Sequence, residues 1–301
     1  MRSKYLSIVI ALLGYLIQAQ SIEKFSIDSG GASVSSGGIQ ILYTIGEVNV
    51  AERTSASISV SEGFINPLQL VIKIDPKIFL EGPYNTGVML DGLRSSGSIP
   101  TTSPYIDSKT CNATVFNTIG SNAIIDWVWV EIRDSADGIT VIASTSALIQ
   151  ANGTVVDTDG VSPLTIDVPS GNYYVVLAHR NHLGIRTANT ISLSGGTQTI
   201  DLTGNSALIN GGAGAVANLG DGNIALFLGD FDGNGQVQNS DLNGMLPLLG
   251  ISSYSHADLD MNSQVQNTDI NALLPNLGLG SQAGRHESSE GSVIFIAAPR
   301  R

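Results

Sequence analysis

Between Leu70 and Thr203 apolar and polar residues alternate in short runs: LVIKIDPKIFLEG, AIIDWVWVEIRD, TVIASTSALIQ, LTIDVP, NYYVVLAHR and QTIDLT. A period of two is the signature of a half-buried strand. Turn residues separate the runs, and Asp137-Gly138 and Asn152-Gly153 are hairpin-type pairs. The pattern predicts a mainly β protein with an antiparallel β-sandwich over residues 71–204. Pro83 to Asn117 is irregular and longer than a turn needs, so it is expected to cover one end of the sandwich. Residues 20–70 are Gly/Ser-rich, with apolar runs at Ile39–Tyr43 and Ile58–Val60, and predict a small β module.

The period changes near the C-terminus. Leu242, Met245, Leu246 and Leu249 fall at helical spacing, as do Ile270, Leu273, Leu274 and Leu277. They predict two short helices burying these residues against each other. Pro247 and Pro275 end the helices after about two turns, and Ser240 and Thr268 are available as caps. The helices belong to a segment at residues 226–280, joined to the sandwich by a Gly/Ala/Asn-rich connector at 205–225. A tail follows at 281–301.

Charge narrows the function classes. The net charge is −12, which disfavours nucleic acid or an anionic membrane as partner and suits cation binding. Arg2 and Lys4 precede an apolar run from Tyr5 to Ile17, the layout of a signal peptide at residues 1–19 with cleavage after Ala19. No other run approaches spanning length, so no membrane span is expected after cleavage, and the protein is expected to be secreted or held at the cell surface. Cys111 is the single cysteine, which rules out an internal disulfide.

The helices follow a duplicated text. GDFDGNGQVQNSDLNGMLPLLG, from Gly229 to Gly250, aligns without a gap on ADLDMNSQVQNTDINALLPNLG, from Ala257 to Gly278. Numbering the first copy from Asp230 places Asp232 at position 3, Asn234 at 5, Gln236 at 7 and Asp241 at 12. In the second copy these become Asp258, Asp260, Asn262, Gln264 and Asp269. This is the ligand schedule of an EF-hand-type calcium loop. Positions 1, 3 and 5 supply side-chain oxygens, position 7 a backbone carbonyl, and position 12 a closing carboxylate. The segment from Asn223 to Ala283 has six Asp, all at positions 1, 3 and 12, and no Glu, Lys or Arg. A merely solvated acidic face mixes its charges. Two calcium ions are therefore expected. Val237 and Val265 at position 8 are expected to pair the loops back to back. Ser263 replaces the usual Gly at position 6, which predicts weaker binding at the second site.

Two loop-then-helix calcium repeats without an entering helix resemble the type I dockerin domain. The resemblance rests on Asp230, Asp232, Asn234, Asp241 and Asp258, Asp260, Asn262, Asp269. It implies a protein partner contacted at positions 10 and 11, here Asn239-Ser240 and Asn267-Thr268. Upstream, KIFLEGPYNTGVMLDGLRSSGSIPTTSPY, DWVWVEIRD, VVDTDGVSPLTID and YYVVLAHRNHLGIRT together resemble secreted, haemagglutinin-like surface proteins of Gram-negative bacteria. That resemblance implies adhesion or extracellular assembly. The alternative is a polysaccharide-degrading glycoside hydrolase, or an accessory subunit of one, since dockerins commonly ride on such enzymes. No G-x-S-x-G, H-E-x-x-H or P-loop motif occurs, so no catalytic residue is assigned.

Other candidates are weaker. Strand alternation puts Trp127, Trp129, Glu131 and Arg133 on one face, where tryptophans could stack a glycan or could pack in the core. His179 and His182 sit near a strand end without a third zinc ligand. Asp157-Thr158-Asp159-Gly160 opens like a calcium loop but reads better as a β-turn. Glu47, Glu81 and Glu131 could each join an Asp as glycosidase carboxylates.

Overall fold

The computed structural model describes residues 72–283 in full and the backbone of residues 30–36, 39–45, 51–55 and 58–62. The expected signal peptide, Glu47 and residues 284–301 lie outside the described residues. The chain divides into two compact units, residues 1–69 and 70–301.

The first unit contains two hairpins. Strand β1 (Gly30–Ser36) pairs antiparallel with β2 (Ile39–Ile45), and β3 (Ala51–Ser55) with β4 (Ile58–Glu62). The Gly/Ser-rich stretch therefore does form β structure.

Among its described residues the second unit is mainly β with three short α-helices. Its chain order is β5 (Ile72–Lys77), β6 (Phe79–Leu80), β7 (Tyr84–Asn85), β8 (Val88–Met89), helix α1 (Gly92–Ser95), β9 (Ile124–Asp134) and β10 (Val141–Gln150). Then come β11 (Val155–Val156), β12 (Leu164–Ile166), β13 (Gly171–His179), β14 (His182–Arg186), β15 (Ile191–Leu193) and β16 (Gly196–Asp201). The unit closes with β17 (Ala217–Asn218), β18 (Ile224–Leu226), α2 (Asn239–Met245) and α3 (Asn267–Leu273). The largest sheet runs β11-β10-β9-β13-β14, with β15 also paired to β13. Two three-stranded sheets, β12-β5-β16 and β17-β18-β6, and the β7–β8 hairpin join it.

The alternating runs became strands, but the sheets are not purely antiparallel. Strand β16 lies parallel to β5, and β18 parallel to β6. Each parallel pairing joins strands more than a hundred residues apart, a crossover that local turn signals cannot reveal. Strand β14 was not expected either, because its HLGIR lacks a clean alternation.

Strand β9 is central, and ten of its eleven residues are buried. The segment expected to cap the sandwich end instead lies over the tryptophan face of β9. Tyr105 stacks at 5.6 Å from Trp129, and Trp127 Nε1 donates to the Pro100 carbonyl at 2.8 Å. Burying each such aromatic contributes about 2–3 kcal/mol.

Residues 205–225, expected as a connector, send Ile209, Ala215, Val216, Ile224 and Ala225 into the main apolar cluster, while the rest of the segment is largely exposed. That cluster also takes in Met261 from the duplicated segment. A second cluster joins Leu183 of β14 and Leu228 to Val237, Met245, Ala257, Leu259, Val265 and Leu273. The repeats and the sheets thus share one compact unit. Among the described residues no helix is long and apolar enough to cross a membrane.

Candidate metal centres

The two loops repeat one backbone path. Left-handed conformations fall at positions 4 and 6 of both: Gly233 (φ 70°) and Gly235 (φ 80°), then Met261 (φ 60°) and Ser263 (φ 73°). Glycine takes these angles freely, whereas Met and Ser each lose about 1 kcal/mol there.

This path folds each set of carboxylates inward. Asp230, Asp232 and Asp241 bring one oxygen each within 4.8 Å of one another, and Asp258, Asp260 and Asp269 do the same. The position-12 carboxylate is fixed by the helix it starts. Asp241 Oδ2 accepts from Gln238 N at 2.8 Å and Oδ1 from Asp232 N at 3.0 Å. Asp269 Oδ2 accepts from Gln266 N at 2.8 Å and Oδ1 from Leu259 N at 2.8 Å. The helix caps are therefore Gln238 and Gln266, not Ser240 and Thr268, which lie inside the first turn. The capping-box carboxylate of each helix thus also faces the other two carboxylates of its loop.

At position 5, Asn234 Oδ1 accepts from Gln236 N at 2.9 Å and Asn262 Oδ1 from Gln264 N at 2.9 Å. The Gln236 and Gln264 side chains point into solvent and contact the Gln238 and Gln266 amides. Such a placement leaves only the backbone carbonyl of position 7 for a ligand role.

Burial, then the charges of Asp241 and Asp232, pushes the Asp230 carboxyl up to about 8. Burial pushes Asp258 up to about 7, opposed by Arg180 and helped by Asp269 and Asp260. Asp241 and Asp260 are also raised, chiefly by burial. Asp230 Oδ1 is buried with no hydrogen-bond partner. An all-oxygen set of carboxylates and amides around an unpaired buried oxygen fits a hard divalent cation of the calcium type.

The position-8 valines do not join the loops to each other by their backbones. Val237 N donates to Leu279 O at 2.9 Å, and Gly278 N to Val237 O at 2.8 Å. Val265 N donates to Ile251 O and Gly250 N to Val265 O, both at 2.8 Å. Each loop grips the chain leaving the other helix, and the valine side chains meet in the shared core. The helical leucines also divide differently than their spacing predicted. Met245 and Leu273 are buried, but Leu246, Leu249, Leu274 and Leu277 are each exposed by more than a third. A seven-residue helix has one buried face, and each helix tightens into a 3-10 turn at Pro247 or Pro275 that carries these leucines outward.

The β13–β14 hairpin plugs into the second repeat. Asn181 Nδ2 donates to His256 O at 3.1 Å and Asp258 O at 2.9 Å, and Arg180 Nη1 donates to Ser255 O. Arg180 is fully buried. Its Nε donates to Asp126 Oδ2 at 2.8 Å, and its guanidinium lies 4.4 Å from the Tyr254 ring centre. Burial favours the neutral form of Asp126, but Arg180 and bonds from His179 and Tyr254 outweigh it and hold the carboxyl ionised. Glu81 accepts from Asn276 Nδ2 at 2.8 Å and Leu228 N at 3.0 Å. None of these contacts was read from the sequence. The partners lie far apart in the chain, and the visible hint was the polar HRNH interrupting an apolar strand pair.

The remaining candidates resolve as structural. Trp127 and Trp129 are buried, so the glycan site suggested for that face is not available. Trp129 Nε1 donates to Glu131 at 3.0 Å, and Glu131 pairs with Arg133 at 2.7 Å. Glu81 and Glu131 are thus committed to internal contacts rather than to a hydrolytic pair. His179 and His182 are buried with Nδ1 atoms 3.0 Å apart, and burial lowers both pKa values. Asp157 to Gly160 is a turn closed by Gly160 N to Asp157 O at 2.9 Å.

No protein-family model matches the chain, and no curated protein matches it. Among solved structures, a chain of an interface mutant of a type II cohesin–X-dockerin complex from Acetivibrio cellulolyticus is 17% identical. The alignment covers 70% of this chain and 99% of that one, with a TM-score of 0.34. A second interface mutant of that complex gives 14% identity, 71% and 97% coverage, and a TM-score of 0.31. Scores of this size carry nothing about partner or activity.

Proposed function

We propose that this is an exported calcium-binding protein whose two C-terminal repeats each hold one ion and whose outward face docks a protein partner in adhesion or extracellular assembly. Asp230, Asp232, Asn234 and Asp241 ligate the first ion, with the Gln236 backbone carbonyl. Asp258, Asp260, Asn262 and Asp269 ligate the second, with the Gln264 carbonyl. The ion supplies charge neutralisation and fixes the loop; it performs no reaction in this reading. The observation that carries it is the pair of converging carboxylate triads, one with a buried unpaired oxygen.

The partner reading rests on a surface written twice. Asn239-Ser240 and Asn267-Thr268 are exposed at the two helix starts, and Leu246, Leu249, Leu274 and Leu277 are exposed at the helix ends. Exposed leucines repeated on both halves are what a docking face needs and a purely internal clip does not. A structural clip is the second reading, favoured by the hairpin bonds to residues 255–258.

The test is a pull-down. Residues 20–301 are immobilised and offered an outer-surface extract of the source cell, with calcium or with chelator. The docking reading expects a partner retained only with calcium and lost on Asp230→Ala plus Asp258→Ala. No partner in either condition, with calcium still raising the melting temperature, would leave the clip alone standing.

A further inference from the structure

The two loops share a backbone path, and both touch the β13–β14 hairpin, the first through Gly229 N donating to Asn181 O at 2.9 Å and through Val237 packed with Leu183. Only the second adds side-chain anchors at positions 4 and 6. At the left-handed positions 4 and 6 the first loop has Gly233 and Gly235, which offer no side chain. The second has Met261 and Ser263. The Met261 side chain is buried in the main β core. Ser263 Oγ lies 2.6 Å from Ser98 Oγ. The backbone of this loop presses against two glycines of the β framework. A Cβ on Gly82 would stand 1.8 Å from Leu259 O, and one on Gly92 would stand 2.6 Å from Met261 O. Asn181 holds the Asp258 carbonyl, and Arg180 holds the Ser255 carbonyl just upstream.

The carboxylates differ in the same sense. Both oxygens of Asp258 accept backbone bonds, from Asn262 N at 3.0 Å and Ser263 N at 2.8 Å. In Asp230 only Oδ2 is so engaged, by Gly235 N at 3.0 Å, and Oδ1 has no partner. Neither loop has a Lys or Arg of its own, and the buried Arg180 of the hairpin bonds the Ser255 carbonyl next to the second loop.

We infer that Arg180, Asn181, Met261 and Ser263 are positioning residues that hold the second loop in its cation-binding shape without the cation, whereas the first loop takes its shape from the cation. This rests on the calcium reading above. Calcium depletion then releases the first repeat alone, and the second repeat stays docked as a fixed base. The partner face becomes calcium-dependent through its first half.

Amide hydrogen exchange of the full chain, with calcium and with chelator, tests this segment by segment. Chelation is expected to speed exchange in residues 230–249 by at least about tenfold and in residues 258–278 by less than about twofold. Met261→Gly keeps the backbone path and removes the anchor, so in that variant chelation is expected to speed exchange in both repeats. Equal loosening of both repeats in the wild-type chain would overturn the inference while leaving calcium binding intact. Retained protection of the second repeat in chelator-treated Met261→Gly would overturn the role of the anchor. No change in either repeat would contradict the calcium reading itself.

Discussion

The two repeats were copied from one text and diverged where they meet the rest of the molecule. Their ligand positions differ in no residue type: Asp, Asp, Asn and Asp in each. Their positions 4 and 6 differ completely, Gly-Gly against Met-Ser, although the backbone is left-handed at all four. In the first repeat glycine removes strain. In the second the strain is accepted, about 1 kcal/mol per residue, because burying a methionine side chain in the β core contributes about 2 kcal/mol or more in return. A substitution that looks like decay of a calcium site in the sequence is, in the fold, a graft onto the sheets.

The sharpest way to break this comparison is to remove the guanidinium that ties the second repeat to the hairpin. Arg180→Ala leaves Asp126 buried with its main counter-charge gone. The expected loss is roughly 3–5 kcal/mol, or about 10 °C in the melting temperature of the second unit. A shift of under about 2 °C in a calorimetric scan would show that the hairpin does not anchor the repeats.

Next in size is the loss of one ion. Asp230→Ala is expected to forfeit the stabilisation that saturating calcium gives the first repeat, about 2.7 kcal/mol at a hundredfold excess over the dissociation constant. The readout is the calcium-dependent part of the melting temperature, which should shrink without an equal fall in the chelator-treated protein.

pH provides a third handle. The folded, cation-free chain holds Asp230 near 8 and Asp258 near 7, both far above the unfolded value of about 4. The folded form therefore binds more protons than the unfolded form between these limits. In chelator, stability is fully present below about pH 4 from these groups and is lost as pH rises through about 7 to 8. With calcium the slope reverses, because protons compete with the ion for the same oxygens. Melting curves from about pH 5 to about pH 8 that run parallel with and without calcium would contradict this.

The smallest expected effect is the most discriminating. Gly235→Ser puts a Cβ at φ 80°, 3.6 Å from Ser281 Cβ, and is expected to cost about 1 kcal/mol from the backbone strain. Ser263→Gly relieves the same strain but loses the Ser98 contact, so it should be neutral within about 0.5 kcal/mol. Urea denaturation of the two variants gives both values. Equal costs would mean the loops are interchangeable.

The legibility of the molecule divides along the range of its interactions. Strands β9, β10 and β13 were readable because their period-two patterns are local. The converging carboxylate triads were readable because duplication doubled a short, charge-specific spacing. The parallel pairs β5–β16 and β6–β18 were not, since each joins strands more than a hundred residues apart. The leucines at helical spacing misled, because spacing reports a shared face and not whether that face is covered. Trp127 and Trp129 left two readings open that only the Pro83–Asn117 segment, folded over them, could decide. Arg180 and Asn181 carried no motif at all; their partners are the carbonyls of Ser255, His256 and Asp258.

A calorimetric calcium titration of the full chain, repeated with Asp230→Ala and Asp258→Ala, tests the central claim most directly. The account predicts two ions in the wild-type chain and one in each variant, with the weaker remaining site in Asp230→Ala, where only the loop beside Arg180 is left. No binding, a single ion, or equal affinities in the two variants would contradict it.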